Sequence, residues 1–130
     1  MKYLGIDYGE KRVGVAISDE MAAFAFPYEI VKNSPHLISD IAAICTKEGI
    51  GEIIVGESND YNGVPNAIMK KTNEFVAQLG AVTKIPVRLE LEFMTSAHAA
   101  RGQGEHKLLD ASAAALILQS FLDRRKNGVV

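Results

Sequence analysis

Four carboxylates stand where a carboxylate can do chemistry. Asp7 closes the apolar run that opens the chain, and Gly9 follows so closely that backbone or a ligand can approach. Strand ends of mixed α/β sheets gather chemistry because loops and helix termini converge on them. Asp before Gly also opens turns, and Asp7 alone leaves both roles open. Asp110 precedes Ala111-Ser112-Ala113-Ala114-Ala115-Leu116-Ile117-Leu118. An acid there is costly to bury unless paired or metal-bound, although Asp is also among the best helix N-caps. Glu92 shares one side of an alternating stretch with Arg88 and Glu90, a pattern that taken alone describes a solvent-exposed face. Glu57, after Ile53-Ile54-Val55-Gly56, is a rival by position.

Other chemistries lack their residues. His36, His98 and His106 fall at no zinc-ligand spacing with one another or with Cys45. There is no G-x-S-x-G elbow and no P-loop. Cys45, the one cysteine, lies on an apolar stripe and reads as a buried, inert thiol with no internal disulfide partner. The N-terminal Met1-Lys2-Tyr3 brings a charge too early for a signal peptide. The longest nearly apolar run, Ala111 to Leu118, is less than half of the roughly 20 residues of a membrane span. The expectation is a soluble, cytoplasmic protein with no membrane contact. A net charge of −2 is no footprint for tight nucleic-acid binding. Three basic clusters, Lys11-Arg12, Lys70-Lys71 and Arg124-Arg125-Lys126, read first as solvated surface.

The 130 residues suit one domain, residues 1–130, and 48% hydrophobic against 23% charged residues is ordinary globular composition. Lys2 to Asp7 and Arg12 to Ser18 read as a β-hairpin around a Gly-containing turn. Phe24 to Val31 contains Pro27, which places it at a sheet edge. Ser34-Pro35 starts a helix, with Ser34 as N-cap and Pro35 at the first position. Its stripe is Leu37, Ile38, Ile41, Ala42 and Cys45, and Gly49 ends it. Glu52 to Gly56 suits a strand buried on both faces. A second helix runs from about Pro65 through Leu79, with Gly80 after it. Pro86 to Phe93 alternates, with Val87 and Leu89 inward and Glu90 and Glu92 outward. Thr95 to Arg101 reads as a short helix, Gly102 to Lys107 as a loop, and about Leu108 to Arg125 as a final helix buried against the sheet. A β-meander followed by alternating α and β predicts a mixed five-stranded sheet with helices on both faces.

Gly5-Ile6-Asp7-Tyr8-Gly9-Glu10-Lys11-Arg12-Val13-Gly14-Val15-Ala16-Ile17-Ser18-Asp19 closely resembles the opening of the Holliday-junction-resolvase-like family, whose members are described as nucleases maturing the 5′ end of 16S ribosomal RNA. The likeness runs nearly the whole chain: Ile53-Ile54-Val55-Gly56 resembles its central strand, Pro86-Val87-Arg88-Leu89 leads into its acidic motif, and Asp110 to Gln119 resembles its last helix. The first and last motifs are specific; the middle two are not. The resemblance implies a ribonuclease H-like fold with Asp7, Glu92 and Asp110 as acidic residues. Two departures stand out. Leu91-Glu92-Phe93 replaces the usual Asp-Glu-Arg, and Gly56-Glu57-Ser58 replaces Gly-Leu-Pro. The absent arginine removes a natural phosphate contact, and Glu57 is a candidate replacement acid.

Carboxylates suit Mg²⁺, with Mn²⁺ as a substitute, because it is a hard cation that prefers oxygen. Three clustered acids repel one another until a metal arrives. The implied activity is hydrolysis of a phosphodiester in structured RNA or branched DNA, in 16S precursor maturation or junction resolution. Asp7, Glu92 and Asp110 are its catalytic and metal-binding residues, and Lys11 and Arg12 neutralise substrate phosphate. Monomer and homodimer are both open. A competing reading is a non-catalytic RNA- or protein-binding member, which the absent acid and arginine around Glu92 favour. A third is a sugar-kinase or actin-type ATPase, which needs two lobes where 130 residues make one.

Overall fold

The apolar runs become five strands of one sheet: β1 (Lys2–Asp7), β2 (Arg12–Ser18), β3 (Ala25–Lys32), β4 (Ile50–Glu57) and β5 (Val87–Leu91). The computed structural model describes residues 1–57, 67–91 and 106–126, with side chains over 1–56, 69–90 and 112–126. Helix α1 (Leu37–Glu48) joins β3 to β4, α2 (Ala67–Thr83) lies between β4 and β5, and α3 (His106–Lys126) follows β5. The order across the sheet is β3-β2-β1-β4-β5. The first three strands pair antiparallel, while β4 runs parallel to β1 and β5 parallel to β4.

Strand β3 is at an edge, as Pro27 requires, and its register with β2 slips beside that residue: Val15 pairs with Glu29 and Ala16 with Pro27. A bulge there absorbs the missing donor. Central β1 and β4 are sealed on both sides. Leu4, Ile6, Val13, Val15, Ile53 and Val55 pack under α1 and α2 with Ile41, Phe75 and Leu79. Tyr3, Ala16 and Ile54 pack on the opposite face under Ala114, Ile117, Leu118, Phe121 and Leu122 of α3.

Local signals missed some boundaries. Helix α1 begins at Leu37 with His36 as N-cap, not at Ser34-Pro35. The Ser34 hydroxyl accepts the His36 N–H at 3.1 Å and so closes a turn of its own before the helix. Gly49 does end α1, in a left-handed conformation (φ 67°) with its N–H donated to the Cys45 carbonyl. Helix α2 runs through Gly80 to Thr83. Lys84 at φ 61° closes it, donating its N–H to the Gly80 carbonyl at 2.9 Å. The Thr83 hydroxyl accepts the Ile85 N–H. These contacts outweigh glycine's cost of about 1 kcal/mol inside a helix. Pro65, Phe93 and the helix expected over Thr95–Arg101 lie outside the described residues. Helix α3 starts two residues ahead of the expected Leu108. Among the described residues no helix is long and apolar enough to cross a membrane.

The faces of β5 are the larger correction. Leu89, expected inward, is 41% exposed, and Glu90, expected outward, is 2% exposed. Val87 does pack against the core under α1 and α2; alternation reports two faces, and it does not report how far each is covered. Here α3 brings Arg124 and Ser120 to the Glu90 carboxylate, at 2.7 and 3.2 Å.

Glycine decides how closely α3 sits on β1. A Cβ on Gly5 would lie 2.7 Å from Leu118 Cβ and 3.0 Å from the Ala114 carbonyl oxygen. We expect Gly5→Ala to lower the unfolding free energy by about 1–3 kcal/mol, measured by urea denaturation; an unchanged midpoint would mean that the helix does not approach this strand. Cys45 is buried, and burial pushes its thiol up to about 11. Its reactive thiolate is therefore scarce at pH 8. Iodoacetamide at that pH is expected to spare native protein and label it fully in urea; rapid native labelling would contradict the burial.

Candidate metal centre

Asp7 is the last residue of β1 and only 4% exposed. Alternation along the strand turns Tyr3 towards α3 and Leu4 and Ile6 towards α1 and α2, so Asp7 belongs to the α3 side. Its neighbours are small. Gly14 of β2 pairs directly with it, and Ile6 opposite Val55 places Gly56 of β4 beside it. The positions directly beside Asp7 on the two adjacent strands therefore have no side chain.

The turn after Asp7 is fixed by packing and one polar strap. The Tyr8 ring lies 4.8 Å from Phe75 of α2, centroid to centroid. The Asn33 side-chain amide donates to the Gly9 carbonyl at 2.7 Å, and its backbone N–H donates to the Lys11 carbonyl at 3.0 Å. Gly9 is required for space: a Cβ there would fall 2.5 Å from the Arg12 carbonyl oxygen. This holds Lys11, exposed, and Arg12, half-buried, on the segment that leaves Asp7.

Helix α3 runs antiparallel to β1. Phe121 and Arg125 lie against Tyr3, with ring centroids 5.5 Å apart and the guanidinium 5.6 Å from the Tyr3 ring, while Leu118 and Ala114 lie against Gly5. Two strand residues advance about 6.6 Å, and one helical turn from Ala114 back to Asp110 advances about 6 Å. The backbone at position 110 therefore approaches the Asp7 end of β1, on the helical row of Leu118 and Ala114.

The other sequence candidates divide. Glu57 ends β4 opposite Leu91 of β5, on the strand row of Ile53 and Val55, which face α1 and α2. Glu92 lies outside the described residues. Among the described residues no three His, Cys, Asp or Glu side chains gather closely enough to hold an ion; the side chains of Glu57, Glu92 and Asp110 are not among those described. Of the basic cluster, Arg125 lies over Tyr3 towards the opposite end of β1, while Arg124 reaches across to Glu90. Glu90 is the residue that sequence reasoning passed over. Its pairing with Gly56 puts it in lateral register with Asp7, two strands away. The available signal was an acid alternating with Arg88 in a strand followed by an apolar helix that ends in arginines.

Residues 1–124 match the family described as RuvX: Holliday junction resolvase. A protein of Maridesulfovibrio salexigens, named as a candidate pre-16S rRNA nuclease, is 33% identical over 134 residues, covering 95% of this chain and 99% of its own. A protein of Nitratidesulfovibrio vulgaris with the same name is 34% identical over 133 residues, covering 95% and 94%. Among solved structures, T. thermophilus RuvC in complex with Holliday junction substrate superposes with a TM-score of 0.67 at 18% identity, over 99% of this chain and 97% of that one. The fowlpox virus resolvase, in complex with its substrate Holliday junction DNA, gives 0.61 at 12% identity, over 96% and 99%. At these identities the structural likeness is one of fold, the ribonuclease H-like architecture expected from the sequence.

The crowding at Gly9 has a measurable consequence. Gly9→Ala is expected to lower stability by about 1–3 kcal/mol, because backbone must move to admit the methyl group. Thermal unfolding checks it: a variant as stable as wild type would show that the turn has room to spare.

Proposed function

The chain belongs to the RuvX family, and on that footing we propose that it is a single-domain, metal-dependent nuclease that hydrolyses phosphodiester bonds, in maturation of the 5′ end of the 16S ribosomal RNA precursor or in resolution of Holliday-type junctions. The observation that carries this reading is Asp7: a buried carboxylate at the end of the central strand, flanked by two glycines, towards which the Asp110 turn of α3 is directed.

A hard divalent cation fits this donor set, because the proposed ligands are all carboxylate oxygens. Asp7 and Asp110 would hold it, with Glu92 as third ligand or water-orienting group. When bound, magnesium or manganese supplies Lewis acidity to the scissile phosphate and lowers the pKa of water. The chain supplies placement. Gly14 and Gly56 leave the floor beside Asp7 free of side chains, so a phosphate can approach closely. The Asn33 strap holds the turn from which Lys11 and Arg12 neutralise substrate phosphate. That local charge is needed on a chain of net charge −2. The working compartment is the cytoplasm, where the lone buried Cys45 thiol remains reduced.

A second reading rests on Leu91 and Phe93, which stand where the family has an acid and an arginine around the glutamate. It makes the chain a binding module without turnover. Cleavage of a 16S precursor fragment and of a four-way DNA junction, with and without Mg²⁺, separates the two readings. We expect wild type to cleave one of these substrates with Mg²⁺. Asp7→Asn should reduce the rate roughly a hundredfold or more, because a catalytic metal contributes several kcal/mol to the barrier. Equal Mg²⁺-dependent cleavage by both proteins would remove Asp7 as an essential ligand. Binding without cleavage by wild type would establish the second reading.

A further inference from the structure

Helix α3 is held to the sheet by polar contacts on both flanks. On the β3 side, the Gln119 carboxamide accepts the Ala25 N–H at 2.8 Å and donates to the Ala23 carbonyl at 3.0 Å. On the β5 side, Glu90 Oε2 accepts from Arg124 Nη1 at 2.7 Å and from the Ser120 hydroxyl at 3.2 Å. Between them Leu118, Phe121 and Leu122 fill the apolar seam over Tyr3 and Ile54. The Glu90 side chain is 2% exposed, while Arg124 reaches it from a position 45% exposed.

An ion pair with one buried partner is a poor way to hold a helix if stability is the only demand. Desolvation cancels most of the attraction, and apolar side chains of similar volume often do as well or better. What the pair adds is direction. Two donors one helical turn apart, Ser120 and Arg124, converge on the same Glu90 oxygen, and hydrogen bonds fix direction in a way that an apolar seam does not. Glu90 is in lateral register with Asp7 through Gly56, and Arg124 is on the same rigid helix as Asp110. The pair therefore ties the strand row containing Asp7 to the helix that carries Asp110.

We propose that Glu90 and Arg124, with Ser120, form a positioning clamp that sets α3 over the sheet and so fixes the spacing of Asp7 and Asp110 for a divalent cation. This rests on the nuclease reading above, for which Asp7 and Asp110 are ligands. Glu90 and Arg124 touch neither metal nor substrate; they act through the helix.

The test replaces the pair with apolar residues of similar size, Glu90→Leu with Arg124→Met, and measures Mn²⁺ binding by electron paramagnetic resonance beside thermal unfolding. The expected result is a folded double variant, no less stable than wild type, whose Mn²⁺ dissociation constant rises roughly tenfold, the lower end of what losing outer support of a metal site costs. Arg124→Lys, which keeps the charge and loses the planar fork, should show a smaller rise of the same sign. Unchanged Mn²⁺ affinity in the folded double variant overturns the clamp and leaves the nuclease reading standing. Loss of folding in both variants also overturns it, because the pair is then needed for the fold itself. Absence of Mn²⁺ binding and of cleavage in wild type removes the nuclease reading first, and the clamp with it.

Discussion

The structure depends on one close approach, that of α3 to the central strand at Gly5. With no Cβ on the strand, Leu118 and the Ala114 carbonyl settle directly against its backbone. That depth brings Phe121 onto Tyr3 and seals the second apolar layer. The same approach sets the depth at which the helix lies over β1. A methyl group at position 5 would lift the helix.

Around Asp7 the chain uses small residues for a different purpose. Gly14 and Gly56 leave the positions beside it on the neighbouring strands bare, and Gly9 lets the turn fold back against Arg12. The polar contacts are concentrated where orientation matters: Asn33 on the turn, Gln119 on one flank of α3, and the Glu90 pair on the other.

Local interactions explain what could be read from the residues in order. Strands β1 and β2 have the bounds that their apolar runs and the Tyr8–Lys11 turn imply, because hydrophobic alternation and turn chemistry act over a few residues. Pro27 placed β3 at an edge because a missing donor cannot be hidden in a central strand. Gly49 ended α1 because the left-handed conformation has a strong local preference. At Gly80 the same signal failed, since Thr83 and Lys84 provide a competing cap three residues later.

The sequence by itself determined the mixed α/β class and the order of the described elements, both of which follow from short-range pattern or from motif likeness. Only the tertiary structure decided that Glu90 is buried and paired while Leu89 is left exposed, and that the Asp110 turn runs towards Asp7 rather than away from it. Those outcomes depend on the angle and depth at which α3 crosses β1. That crossing is settled by contacts between residues about a hundred positions apart, and no local window of the chain contains them.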